Sequence, residues 1–200
     1  QVKYFSEFDA MTGVYNRRKY EMEKERIDGE GCFPVSIIVT DIDGIRKINE
    51  MYGEAEGDHL ISQTARILKT CCRDGDLMAR TGGGEFTIIL PETGRDEAEM
   101  LMQRIKEAVN QHNRNLRDDA RAIDLTVGFG TKDATGIGLD EIEKSAEESM
   151  LKRKLFERKS YHSSILSSVM AAMLARSQET EEHEYRISKM CIEIGGRLGL

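Results

Sequence analysis

Two aspartates bracket one isoleucine in Asp41-Ile42-Asp43, at the end of a strongly apolar run that begins at Val35, and Gly44 follows them. A strand that stops there leaves carboxylates and free backbone amides beside a turn, a combination suited to a hard cation carrying bound phosphates. An aspartate after a strand also serves as a plain turn or cap residue, so the pattern alone keeps both readings open. A second acidic group, Glu85, closes the glycine-rich stretch Thr81-Gly82-Gly83-Gly84-Glu85. Turns need glycine for backbone reasons alone. A basic run from Lys152 to Lys159, with Lys154 and Arg158 inside it, offers cations to a phosphate or forms a solvated helix face.

These groups need a frame. Val35 to Asp41 is β-branched and almost continuously apolar, which predicts a central strand covered on both faces. Before it, residues 17–28 are rich in helix formers and are closed by Gly29 and Gly31. After it, the pattern predicts a short helix over 45–51, broken by Gly53 and Gly57. Asp58 would then cap a longer helix burying Leu60, Ile61, Ala65, Ile67 and Leu68. Strands at 77–80 and 86–90 flank the glycine stretch as a hairpin. A helix over 95–113 shows one apolar face through Ala98, Leu101, Met102, Ile105 and Val109. Residues 123–129 alternate like a half-buried strand, and a last helix is expected over 139–157. This order indicates an α/β (α+β) sandwich, an antiparallel sheet backed by helices. From Ser160 onward the pattern is helical only, which predicts a C-terminal helical extension that opens a second module.

Composition narrows the function. A formal net charge of -7 argues against broad nucleic-acid binding, which needs a basic face, so an anionic ligand must be held by a local basic site. The apolar runs are too short to span a bilayer and nothing resembles a signal peptide, which predicts a cytoplasmic protein with no membrane span. Cys32, Cys71, Cys72 and Cys191 show no metal-ligand spacing, and adjacent Cys71 and Cys72 would strain to bridge, so all four are expected reduced and structural.

Taken together, Asp9-Ala-Met-Thr-Gly-Val-Tyr-Asn-Arg-Arg18, Asp41-Ile-Asp-Gly-Ile-Arg-Lys-Ile-Asn49, Tyr52-Gly53, Gly57-Asp58 and Arg80-Thr-Gly-Gly-Gly-Glu-Phe86 resemble, in order and spacing, the bacterial GGDEF family of diguanylate cyclases. The resemblance spans about residues 8–159 and implies a fold like the palm of nucleotidyl cyclases and polymerases. It also implies that two domains meet as a homodimer, each holding one GTP with Mg²⁺ or Mn²⁺. Each 3′-hydroxyl then attacks the other GTP at its α-phosphate to give cyclic di-GMP. Carried over by motif, Asp41 is a metal ligand through its carboxylate and Ile42 through its carbonyl. The amides of Gly44, Ile45 and Arg46 would face the phosphates. Arg46, Lys154 and Arg158 match the positions that contact the terminal phosphates, Gly83 is counted with the GTP site, and Glu85 is the catalytic carboxylate. Asn49 and Asp58 match the guanine-reading pair. A carboxylate there accepts from two guanine donors that adenine lacks, for a discrimination of roughly 1–3 kcal/mol by analogy with base-edge pairs. On their own these two residues read as a helix end and a helix cap. Arg73 and Asp76 match the Arg-x-x-Asp inhibitory site for cyclic di-GMP, placed just ahead of the glycine loop.

One departure bears on chemistry. The family pattern has Asp or Glu where this chain has Gly84, so a metal-binding carboxylate position is lost. Met11, Val14, Ile45, Glu54 and Thr81 are milder departures that remove no ligand. Three readings follow: a degenerate domain that binds GTP or cyclic di-GMP and regulates a neighbour, a working cyclase built on Asp41, Asp43 and Glu85, and a dimerisation scaffold without ligand. In the tail, an apolar stripe through Ile165–Leu174, then His183, Arg186 and Leu198-Gly-Leu200, resembles the opening helices of HD-type phosphohydrolase domains, including HD-GYP phosphodiesterases. The expected organisation is therefore a GGDEF domain over 1–159 and, over 160–200, a helical linker with the truncated start of an HD-type domain.

Overall fold

The computed structural model describes residues 7–31, 33–116, 122–134 and 136–156, with single positions 168, 189, 190, 192, 193 and 197 beyond them. The chain divides into two compact units, Gln1–Lys154 and Leu155–Leu200. In the second, the described positions are helical and Arg197 pairs with Glu193 at 3.1 Å. Of the expected tail features, Arg158, the 165–174 stretch apart from Ser168, His183, Arg186 and Leu198–Leu200 lie outside the described residues, as do Cys32 and Cys191.

In the first unit the described strands are β1 (Tyr15–Asn16), β2 (Val35–Ile42), β3 (Leu77–Arg80), β4 (Glu85–Leu90) and β5 (Leu125–Lys132). The helices are α1 (Arg17–Glu30), α2 (Ile45–Tyr52), α3 (Glu54–Cys71), α4 (Arg95–Arg114) and α5, which begins at residue 139 and supplies residues 139–154 to this unit. The strands form one sheet in the order β1-β3-β4-β2-β5. The pairs β3–β4, β4–β2 and β2–β5 are antiparallel, as the alternation and the hairpin predict, whereas β1 pairs parallel with β3. That edge pairing is absent from the sequence reading because two residues are too few to show a period.

Alternation along β2 divides the core. Ile38 and Ile42 pack with Phe86, Ile88, Leu90 and the apolar faces of α3 and α4. Ile37 and Val39 pack on the other side with Tyr20 and Ile27 of α1 and Leu139, Ile142 and Ala146 of α5. The five apolar positions expected on α4 are those it buries.

Three local differences have physical reasons. Helix α3 starts at Glu54, not at a cap on Asp58, so Asp58 lies in its second turn with an exposed side chain. Gly57 is helical and buried because the Asn49 side chain lies against it, and a Cβ there would come within 1.9 Å of Asn49 Oδ1. Helix α1 runs through Gly29 and ends at Gly31, whose φ of 65° is the left-handed C-cap conformation. Strand β5 is buried from Thr126 to Gly130 and not on alternate residues. A Cβ at Gly128 would lie 2.3 Å from the Ala146 carbonyl oxygen, and one at Gly130 2.6 Å from that of Ile142. The two glycines let the backbone of α5 lie directly on β5.

Candidate functional site

The sheet brings the acidic groups to one edge. Asp41 is the register partner of Glu85 on β4 and of Thr126 on β5. As an odd position of β2 it shares the face of Ile37 and Val39, the face covered by α1 and α5. Because α5 rests on Gly128 and Gly130, its next turns bring Lys154 over the end of β2. There the Lys154 ammonium donates to the Asp41 carboxylate and, at 2.8 Å, to Asp43 Oδ1. Thr126 Oγ1 donates to the other Asp43 oxygen, and the Asp43 amide donates to the Asp124 carbonyl at 2.8 Å. The three charged side chains are each only about a fifth to a quarter exposed (Lys154 18%, Asp41 27%, Asp43 23%). Burial alone would lower the Lys154 pKa, but the bonds to Asp41 and Asp43 outweigh it and hold it above the ordinary lysine value.

Gly44 turns the chain with φ 79°, which opens α2 with first-turn amides that have no intrahelical acceptor. The Arg46 side chain is exposed and pairs with Glu50 at 3.1 Å. Asn49 Oδ1 is buried and has no hydrogen-bond partner among the described residues. It lies against Gly57, immediately before Asp58.

The glycine loop is braced from an unanticipated side. Arg80 Nε donates to the Gly82 and Gly83 carbonyls at 3.2 and 3.1 Å, and Nη2 donates to Gly83 at 2.7 Å. Its Nη1 reaches both carboxylate oxygens of Asp9 at 3.3 Å. Asp9 in turn accepts from the Thr12 amide and hydroxyl at 3.0 and 2.6 Å. Arg80 stands directly before the loop in sequence, a signal that could have marked it, but nothing local ties it to Asp9. The Ile42 amide donates to the Gly84 carbonyl at 3.0 Å. A Cβ at Gly84 would point between Ile42 Cβ (3.3 Å), Ile45 Cγ1 (3.4 Å) and the Ile42 carbonyl oxygen (3.6 Å). Glu85 is exposed at the rim of a depression of about 290 Å³ lined by Arg17, Glu21, Thr81 and Glu147, with its carboxylate folded over Gly82.

Among the described residues no three His, Cys, Asp or Glu side chains converge to hold a metal ion. Asp41, Asp43 and the Ile42 carbonyl thus form a short set of oxygen donors. Such oxygens suit a hard divalent cation that completes its coordination with oxygens from a ligand or water.

Helix α5 is anchored to α1 by a charge network centred on the buried Lys24, also missing from the sequence reading. Lys24 is 7% exposed and meets Glu21, Asp140 and Glu143 at 2.9, 2.8 and 2.7 Å, and Tyr20 donates to Glu143 at 2.9 Å. Burial opposes the Lys24 charge, but the three carboxylates raise its pKa.

The second predicted site lies elsewhere. Asp76 accepts from the Arg73 amide at 2.7 Å and from its guanidinium at 3.4 Å, and the same guanidinium donates to Thr93 Oγ1. The Asp76 side chain is 2% exposed and that of Arg73 51%, so the arginine is the member of the pair open to solvent. Arg73 also lines a depression of about 310 Å³ with Arg104, Glu97 and Met100. Arg104, which the sequence reading did not single out, donates to the Cys71 carbonyl. Cys71 and Cys72 are free thiols, and burial pushes Cys72 up to about 12, so it stays protonated.

This arrangement, a palm-like sheet with two aspartates and a glycine hairpin at one edge, is that of a nucleotidyl-cyclase-type domain. The family model for the diguanylate cyclase, GGDEF domain, matches residues 6–160, and the chain belongs to that family. It is 37% identical over 114 residues to the uncharacterized protein YhcK of Bacillus subtilis, covering 55% of this chain and 32% of that protein. It is 35% identical over 116 residues to the diguanylate cyclase DgcM of Escherichia coli, covering 54% and 27%. The chain thus spans about a third or less of the length of these curated relatives. The structure of the coiled coil and GGDEF domain of DgcB from Caulobacter crescentus, in complex with c-di-GMP, superposes with a TM-score of 0.69 at 23% identity, covering 77% of this chain and 83% of that one. The active GGEEF domain of a Vibrio cholerae diguanylate cyclase gives 0.61 at 25% identity, covering 70% and 90%. No helix among the described residues is long and apolar enough to cross a membrane.

Proposed function

We propose that this chain is a degenerate GGDEF domain that binds GTP with a divalent cation, turns it over slowly, binds cyclic di-GMP at Arg73, and regulates an attached HD-type phosphohydrolase in the cytoplasm. The observation that carries this reading is the direction of the missing side chain at Gly84. A Cβ there would stand 3.6 Å from the Ile42 carbonyl oxygen, so a carboxylate at this position would share a cation with Ile42 and Asp41. In this reading Asp41 and the Ile42 carbonyl hold the cation. The amides of Gly44, Ile45 and Arg46 with Lys154 and Arg158 take the phosphates, Asn49 and Asp58 read guanine, Gly83 borders the nucleotide, and Glu85 remains as the catalytic carboxylate. The buried, unpartnered Asn49 Oδ1 supports the guanine assignment, since an orphaned buried acceptor calls for a donor. The cation, when bound, neutralises triphosphate charge and polarises the reacting phosphoryl group. A homodimer supplies the second nucleotide.

Removal of groups outside the immediate coordination shell of metal sites costs about 10- to 100-fold, and loss of a direct ligand costs more. The residual rate is therefore expected to be roughly 10³-fold or more below that of an intact loop. Incubating the purified chain with GTP and Mg²⁺ or Mn²⁺ and separating the products by chromatography tests this. Calorimetry should show GTP binding, and cyclic di-GMP at several turnovers per minute would sink the degenerate reading. That outcome would favour the alternative of a working cyclase, for which the register pairing of Asp41 with Glu85 is the supporting feature. Absence of any nucleotide binding would leave a dimerisation scaffold. Hydrolysis of cyclic di-GMP by the full-length protein, measured with and without GTP, tests the regulatory part.

A further inference from the structure

We infer that Lys154 is an internal counter-ion that keeps divalent cations off the Asp41–Asp43 pair until a polyphosphate draws it away, so that cation and nucleotide load together. The Lys154 ammonium contacts one carboxylate oxygen of each aspartate, the place where a cation would bridge them. The second Asp43 oxygen accepts from Thr126, so three of the four carboxylate oxygens already hold a hydrogen-bond partner that an ion would have to displace or share. With two negative charges and one positive held in contact, the repulsion from the ammonium leaves an incoming divalent ion about half the attraction it would meet at a bare pair. A carboxylate at position 84 would restore the missing negative charge, but Gly84 supplies none. Lys154 is also placed to yield. It projects from α5, whose fixed points are the Gly128 and Gly130 contacts and the Lys24 network further back, so its side chain can swing without moving the helix. A triphosphate offers the ammonium richer acceptors and brings its own oxygens to the cation. The loading half of this inference rests on the GTP reading, whereas the occupancy of the aspartate pair by Lys154 does not.

The test is a titration of the whole chain with Mn²⁺, free hexaaqua Mn²⁺ being read by electron paramagnetic resonance. Without nucleotide, Lys154→Met should tighten Mn²⁺ binding by about tenfold or more, the size expected for releasing a charge-assisted bond. An affinity within twofold of the unsubstituted chain overturns the inference. Adding Asp41→Asn to Lys154→Met should cancel the gain, and a gain that survives assigns the ion elsewhere and overturns it as well. If circular dichroism shows the Met variant unfolded, Lys154→Gln carries the same comparison. In the second arm, the α,β-methylene analogue of GTP should strengthen Mn²⁺ binding more in the unsubstituted chain than in Lys154→Met. Equal enhancement in both overturns joint loading. A chain that ignores the analogue sinks the GTP reading and joint loading with it, while the nucleotide-free comparison still decides what Lys154 occupies.

Discussion

Replacing Gly84 with aspartate returns a carboxylate to the loop, and the structure sets both the cost and the gain. The backbone at Gly84 lies outside the left-handed region, so an L side chain meets no conformational penalty there. The new Cβ would sit 3.3 Å from Ile42 Cβ and 3.4 Å from Ile45 Cγ1, which obliges these side chains to give by a few tenths of an ångström. Such mild overpacking costs about 1 kcal/mol at the low end of its range, and the loss of glycine freedom in the unfolded chain returns about 0.4–1 kcal/mol. Stability should therefore change by less than about 1 kcal/mol in either direction, seen as a small shift of the urea midpoint. The gain is a third anionic oxygen donor beside the Ile42 carbonyl. Restoring a direct ligand should lower the barrier by about 4 kcal/mol, a rise in turnover of roughly 10³. The assay is single-turnover and steady-state conversion of GTP to cyclic di-GMP, with Gly84→Ala as a control for loop stiffening. A folded Gly84→Asp variant that binds GTP yet gains less than about tenfold would refute the reasoning that the lost carboxylate limits catalysis.

Gly128→Ala forces a methyl group to 2.3 Å from the Ala146 carbonyl oxygen, a backbone atom that cannot step aside alone, so urea denaturation should show a loss of about 2–3 kcal/mol or more. Arg73→Ala should abolish calorimetric binding of cyclic di-GMP while leaving GTP binding intact. Unchanged affinity would assign the ligand to another surface. Burial works to raise the Asp9 pKa, but bonds from Thr12 and Arg80 overcome it and hold the pKa below 3.8. This stabilisation is present above the unfolded value and is lost as pH falls through the folded one. The urea midpoint of the unsubstituted chain should therefore fall more steeply than that of Asp9→Asn as pH drops below about 4, and parallel profiles would contradict it.

What was legible in the sequence is what repeats locally. The apolar run of β2 and the 3.6-residue spacing of α4 each span enough residues for burial to dictate a period. The acidic pair was legible because Asp41 and Asp43 share one strand end. Lys154 could be placed near phosphates only through the family resemblance, since it lies 113 residues from Asp41 and no periodicity reports such a contact. The same holds for Arg80 and Asp9, which are 71 residues apart. Gly57 misled for a specific reason. Helix interiors disfavour glycine, so its presence reads as a break, yet the space left by its missing side chain is where Asn49 lies. Residues 123–129 read as a half-buried strand, but Gly128 and the following Gly130 are the contact surface for a helix backbone.

That contact surface also limits how far nucleotide occupancy can act. Helix α5 is clamped at its start by Lys24 through Asp140 and Glu143, and at its middle by the glycines of β5. Shifting the whole helix would part Lys24 from Glu143, the two sheltered members of the network, and would uncover the Gly128 and Gly130 seam. Exchanging the partners of Lys154 disturbs only the far end of the helix. A ligand can shift an equilibrium by no more than its difference in affinity for the two states. Allosteric coupling energies are commonly about 1–3 kcal/mol, on the scale of exchanging side-chain partners in the turn that carries Lys154. On the proposed GTP reading, regulation would act through the turn that carries Lys154, with the Lys24–Glu143 pair and the glycine seam as the fixed frame.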